Sequence, residues 1–215
     1  MKYIIFLFVP FLLLNSCGGD NKDTAQSHLE SAELQERIDE YFSALNELGK
    51  FNGVVYASKS DVELIHQAYT LAPNDTSALY VTPESQFDIH SVSKLMAHYL
   101  IEKFEREGTV KKSQALSEFI PDFPNGEKIT LAMLLNHSSG LPRSFADIEG
   151  DAIKLTSTQI IEYAKKQELL FEPGTETQYS NVAYELVYFV IQTIATKTFA
   201  QCLFDEVFQP LEMEN

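Results

Sequence analysis

"FDIHSVSKLMAHYLIEKF", Phe87 to Phe104, sets a serine, Ser91, three residues before a lysine, Lys94, at the opening of an amphipathic pattern. Apolar residues at Leu95, Met96, Tyr99, Leu100 and Phe104 predict a helix that runs to about Glu107 and stops at Gly108. Residues three apart share a helix face, so Ser91 Oγ and Lys94 Nζ can meet. A serine in the first turn sits in the positive end of the helix dipole, where a developing alkoxide is favoured. A lysine tucked under the helix loses solvation and moves toward the range in which it accepts a proton. The plainer alternative is a capping serine beside a surface lysine. With 17 Ser and 13 Lys in the chain, roughly one S-x-x-K arises by chance, so the pair needs context.

Outward from this stretch, Leu34, Ile38, Tyr41/Phe42, Leu45 and Leu48 step by three or four and predict a helix from about Leu29 to Gly49. "GVVYASKSDVELIHQAYT" predicts a hairpin, Gly53 to Thr70, turning at Ser60-Asp61. Downstream come only helices and loops: a short helix over "LAMLLNH" capped by Thr130, one from Thr158 to about Lys166, an apolar one from Val182 to about Thr196, and a last one over "FAQCLFDEVF". The order is helix, hairpin, then a helical region. There is no internal repeat and no βαβ alternation, which argues against a Rossmann-like or barrel enzyme.

Composition narrows the function. The 215 residues are 45% hydrophobic and carry a net charge of −15, which suits a globular domain and disfavours nucleic acid and anionic lipid headgroups as partners. The N-terminus, "MKYIIFLFVPFLLLNSCGGD", has one cation followed by an apolar run too short for a relaxed membrane span, and reads as a secretory signal over residues 1–16. Its end, Leu14-Asn15-Ser16-Cys17, resembles the lipobox of bacterial lipoproteins, which implies cleavage before Cys17 and a lipid on that cysteine. Residues 17–28 read as a flexible tether to the membrane and residues 29–215 as the folded domain. The implied location is the bacterial cell envelope, periplasm or outer membrane, with the bilayer as a partner through Cys17. Cys202 lies in an apolar helical stretch and reads as a small core residue. The five His are dispersed, and no metal-binding spacing or cofactor motif is present.

Three blocks then give Ser91 its context. "FDIHSVSK" is followed, in order, by "LLNHSSGLP" (Leu134–Pro142) and "FEPGTETQYSN" (Phe171–Asn181). Y-x-N alone has a chance expectation of about 0.4, but three ordered blocks make a specific signal. Together they resemble the serine β-lactamase and penicillin-binding protein superfamily, closest to class C β-lactamases and related esterases and D-amino-acid peptidases, from about Phe51 to the final "PLEMEN". The resemblance implies an α/β fold of the α+β type. It implies that Ser91 is the acylated nucleophile, Lys94 the lysine that shares its proton, Tyr179 the general base and acid, and Asn181 the group that binds the acyl-side amide of a small-molecule or peptide substrate. A phenol beside an ammonium has a lowered pKa, in keeping with that role. His137 and Ser138-Ser139-Gly140 read as a structural turn.

The sequence departs from that family in three places. The family carries a later strand with Lys or His, any residue, then Gly; here the last glycine is Gly174, and Lys197-Thr198-Phe199 lacks one. The expectation is therefore that the C-terminal strands of the sheet are missing, leaving Val54, Val55, Leu64 and Ile65 partly uncovered. His90 and Glu212 stand where the family usually has small residues, and His90 could crowd the pocket. Two function classes follow: a serine hydrolase acting through an acyl-enzyme on a β-lactam, D-alanyl peptide or ester, or a lipid-anchored, catalytically inactive binding protein.

Overall fold

The computed structural model describes the backbone of residues 20–71, 80–145 and 155–213, with side chains from Ser31 onward. The signal segment 1–16 and Cys17 lie outside the described residues. The chain forms two compact units that divide between Phe87 and Asp88.

The first unit opens with helix α1, Asp20–Glu47. The helix begins nine residues before the predicted start, so the expected tether over 17–28 is helical from Asp20. No glycine or proline interrupts residues 20–47, and that continuity lets helix propagate upstream from the apolar positions. Gly49, at φ +67°, ends the turn that follows α1, where a residue without Cβ is favoured.

Strands β1 (Gly53–Lys59) and β2 (Val62–Tyr69) pair antiparallel. Ser60 and Asp61 both have positive φ, the signature of a two-residue turn whose twist matches that of the strands. The aromatic rings of Phe42, Phe51 and Tyr69 pack together, and Tyr69 Oη donates to Asp39 Oδ1 at 2.8 Å, pinning β2 to α1. Val54 and Val55 are partly covered, as expected. Leu64 and Ile65 are not: they are only 6% and 4% exposed. Adjacent strand residues face opposite sides, so both faces of β2 are covered at this point.

The second unit is built around two helices. The first is α2, Ser93–Arg106, with Gly108 at positive φ two residues beyond its end. The second is α5, Asn181–Ala195, with seven buried residues along its length. Ala97, Leu100, Ile101 and Phe104 recur along α2 at helical spacing and are buried in one core with Val182, Ala183, Leu186, Val187, Val190 and Ile191 of α5. Full burial of a Leu, Ile or Val side chain contributes about 1.5–3 kcal/mol, so this pair of faces anchors the unit.

Around this pair lie α3 (Leu131–Leu135), α4 (Ser157–Ala164) and α6 (Phe199–Leu203), which continues into a wider turn over Phe204–Phe208. Thr130 caps α3 as predicted. Helix α4 starts one residue earlier than predicted, because Thr156 and Gln159 form a reciprocal cap. Two residues of the predicted apolar stripe of α2 lie off the core: Leu95 is 65% exposed and Tyr99 41%, with Val92 at 57% on the same flank.

Candidate active site

Ser91 lies in a 3-10 turn, His90–Val92, that feeds directly into α2. Asp88 Oδ1 accepts the His90 N–H at 2.8 Å, and Ser93 Oγ donates to the His90 carbonyl at 2.7 Å, so the turn is held from both sides. His90 has φ +45° and its exposed ring turns to Asp88, 3.7 Å away. Glu212 likewise has φ +54°. Both positions are left-handed, which is a physical reason for a small residue there.

Lys94 Nζ lies 3.4 Å from Ser91 Oγ, the i, i+3 meeting read from the sequence. The expectation that Lys94 is tucked under the helix is not met. It is half-buried, with its ammonium over the rings of Tyr179 and Tyr184 at 5.2 and 5.4 Å. The amino end of its helix face runs out past the core, so the charge rests on aromatic faces rather than in a dry cavity.

Tyr179 is delivered by a second device. The segment after α3 turns sharply at His137 (φ +64°) and Gly140 (φ +81°), then runs beside residues 170–181. The Gly140 carbonyl accepts from Leu170 N–H at 2.8 Å, Ser138 O from Gly174 N–H at 2.8 Å, His137 O from Gln178 N–H at 2.9 Å, and Arg143 O from Asn181 N–H at 2.9 Å. Gly140 is required here: a Cβ at this position would lie 2.3 Å from the Phe171 carbonyl oxygen. Buried Ser180 completes the clamp. Its hydroxyl donates to Pro142 O at 2.7 Å and accepts from Ala183 N–H at 2.9 Å, capping α5.

Held this way, Tyr179 Oη donates to Ser91 Oγ at 2.8 Å. Lys94 and then Ser91 hold its phenol below the ordinary tyrosine value, and Arg143, with its guanidinium carbon 5.2 Å from the ring centre, adds to the effect. The two hydroxyls share one hydrogen bond, which reverses when the phenol is ionised. The structure thus brings Ser91, Lys94 and Tyr179 together. Asn181, the first residue of α5, follows two residues later with its side chain exposed.

Four neighbours escaped the sequence reading as parts of the site. Arg143 follows the Gly-Leu-Pro turn, and Tyr184 donates to Leu135 O at 3.0 Å beneath Lys94. Glu185 is partly buried, and burial pushes its carboxyl above the usual value against the pull of Lys94. His137 was read only as part of a turn, yet its ring lies 4.5 Å from that of Tyr179. No local signal marks Arg143, Tyr184 or Glu185, because each acts through a contact made only in the fold; His137 lies within the LLNHSSGLP block, which does not show the stacking on Tyr179. Among the described residues no cluster could hold a metal ion.

A serine hydrogen-bonded to a tyrosine, with a lysine one helical turn on, defines the active-site class of serine hydrolases that carry S-x-x-K and Y-x-N. The chain belongs to the Beta-lactamase family, whose model matches residues 38–215. It is similar to Protein flp of Staphylococcus aureus (strain MW2), 30% identical over 62% of this chain and 28% of that protein. It is also similar to the D-alanyl-D-alanine-carboxypeptidase/endopeptidase AmpH of Escherichia coli K12, 30% identical over 61% of this chain and 36% of that protein. Among solved structures, the beta-lactamase/D-alanine carboxypeptidase from Yersinia pestis complexed with citrate superposes with a TM-score of 0.65 at 25% identity, over 86% of this chain and 55% of that one. The chain spans less than half the length of these two curated relatives.

Proposed function

We propose that the protein is a serine hydrolase that works through an acyl-enzyme on an amide or ester. Tyr179, with its phenol held low, takes the Ser91 proton as Oγ attacks the substrate carbonyl. It returns that proton to the leaving group, and then activates the water that cleaves the acyl-serine. Lys94 stabilises the phenolate and keeps the proton within the trio. Asn181 binds the acyl-side amide. The observation that carries this reading is the 2.8 Å contact between Tyr179 Oη and Ser91 Oγ, with Lys94 Nζ 3.4 Å from the same oxygen.

The substrate class we propose is a D-alanyl peptide, a β-lactam or a related ester, by analogy with relatives named for D-alanyl-D-alanine cleavage. The test is mass spectrometry after exposure to a fluorescent penicillin or a fluorophosphonate. An adduct on Ser91 that is lost in Ser91→Ala and kept in Ser93→Ala is expected; equal labelling of Ser91→Ala refutes the assignment.

We also propose that Cys17 is lipidated and tethers the protein to the cell envelope. The short apolar run that ends in Leu-Asn-Ser-Cys supports it. Membrane fractionation with mass spectrometry of the N-terminal peptide tests it, and a soluble product with unmodified Cys17 overturns it.

A further inference from the structure

Residue 137 makes three contacts with the segment that carries Tyr179. Its carbonyl accepts the Gln178 N–H at 2.9 Å. Its Nδ1 accepts the Ser180 N–H at 3.1 Å. Its imidazole lies on the Tyr179 ring, with centroids 4.5 Å apart and planes 34° from parallel. One residue therefore grips the backbone immediately before and immediately after the phenol while its side chain supports the ring. On its other side the imidazole meets Tyr184, 5.2 Å away. We propose that His137 is a positioning residue for Tyr179, acting only while its ring is uncharged, and that it sets the acid limit of the reaction at Ser91.

The chemistry follows from the acceptor. Nδ1 can take the Ser180 N–H only when it carries no proton, so the ring must be the Nε2–H tautomer. Protonation would leave the Ser180 amide without its partner and put a cation against a tyrosine already flanked by Lys94 and Arg143. The groups that face the ring are Lys94 from α2, Tyr184 from α5 and Tyr179 itself. Arg143 lies against the Tyr179 ring, and Glu185 lies within the field of Lys94. Burial and Lys94 hold the imidazole below its ordinary value, so the neutral form persists into mildly acid solution. Below that point the clamp opens, and Tyr179 loses its orientation toward Ser91.

Two measurements test this. The rate arm rests on the hydrolase reading; the spectroscopic arm does not. In the full chain labelled with 15N-histidine, His137 is expected as the Nε2–H tautomer. The Tyr179 ring and Ser180 amide signals should shift with the midpoint of its titration. An Nδ1–H tautomer, or Tyr179 and Ser180 signals blind to that titration, overturns the proposal. In the rate arm, His137→Phe keeps a ring but loses the acceptor. It should slow Ser91 labelling about 10- to 100-fold and abolish the wild-type acid limb, with partial rescue by His137→Gln. Labelling by His137→Phe at the wild-type rate with the wild-type pH profile also overturns it. If the wild-type chain does not label at all, the hydrolase reading fails and the spectra alone decide. If His137→Phe does not fold, the hydrolase reading is untouched and the spectra of the wild-type chain decide.

Discussion

Gly140 and Phe171 are in backbone contact: the position a Cβ would take on Gly140 is 2.3 Å from the Phe171 carbonyl oxygen, and the glycine sits at φ +81°. At this point the turn that starts at His137 and the segment that ends at Tyr179 meet backbone to backbone. Gly140→Ala is expected to destabilise the fold by about 2–4 kcal/mol, since the left-handed backbone alone costs about 1–2 kcal/mol and the contact adds to it. Gly108→Ala is the comparison. Gly108 also has positive φ but nothing within 4 Å of the added carbon, so only the backbone cost of about 1–2 kcal/mol should appear. Urea denaturation of both variants checks this, and equal losses would show that the Gly140 contact relaxes freely.

Lys94 and Tyr179 both touch Ser91 Oγ, so each should matter to acylation. Lys94→Ala and Tyr179→Phe are each expected to slow Ser91 labelling by about 10²–10⁴, the usual cost of a lost proton-transfer partner. The double variant should be little worse than either single one, because the two act as a unit. Time courses of probe labelling at fixed pH decide it; additive losses would mean that the residues act separately.

The Tyr179 phenol should announce itself by ultraviolet titration. Of the ten tyrosines, Tyr179 is expected to ionise below the ordinary tyrosine range, with Lys94 the leading cause. The early component should vanish in Tyr179→Phe and move up in Lys94→Met. A lowered phenol favours the ionised folded state, so its contribution to stability grows as pH rises and is complete above the ordinary phenol value. Tyr69 has the opposite sign. Burial and Asp39 raise its phenol, so the stability it supplies is present below the ordinary phenol value and is lost as pH rises through the raised one. Tyr69→Phe should therefore remove part of the alkaline sensitivity of the fold, as followed by circular dichroism.

Glu185 carries a cost at neutral pH. Burial raises its carboxyl above the usual value, so any stability linked to its protonated form is present below the ordinary carboxyl value and lost as pH rises through the raised one. Glu185→Gln should raise the Tm at pH 7 by a few degrees, in the range of about 2–4 °C per kcal/mol for a chain of this size. The gain should shrink near pH 4. A gain that is the same at both pH values would place the effect in packing rather than ionisation.

Some of this was legible in the sequence and some was not, for reasons of range. Ser91 and Lys94 are three residues apart, so helix geometry alone predicts their meeting. The Ser60-Asp61 turn was visible because two small or acidic residues between apolar runs leave few alternatives. Tyr179 is 88 residues from Ser91, and only the ordered blocks could join them. Arg143, Glu185 and the His137 stack have no periodic mark at all, since a contact made across the fold leaves no trace in spacing. The early start of α1 and the half-exposed Lys94 share another cause: polarity and helix face in a sequence do not show where the core ends.

The flank of α2 formed by Val92, Leu95 and Tyr99 bears on how the protein can be assayed. These apolar side chains face water in the folded state, so a fluorescent dye that seeks oily surfaces, such as ANS, should brighten on the native chain before any unfolding. Dye-based thermal-shift curves would then start from a high baseline and report dye displacement as much as melting. The chain has no tryptophan to serve instead. Tyrosine emission and far-ultraviolet dichroism are the signals that follow this fold without perturbing the surface beside Ser91.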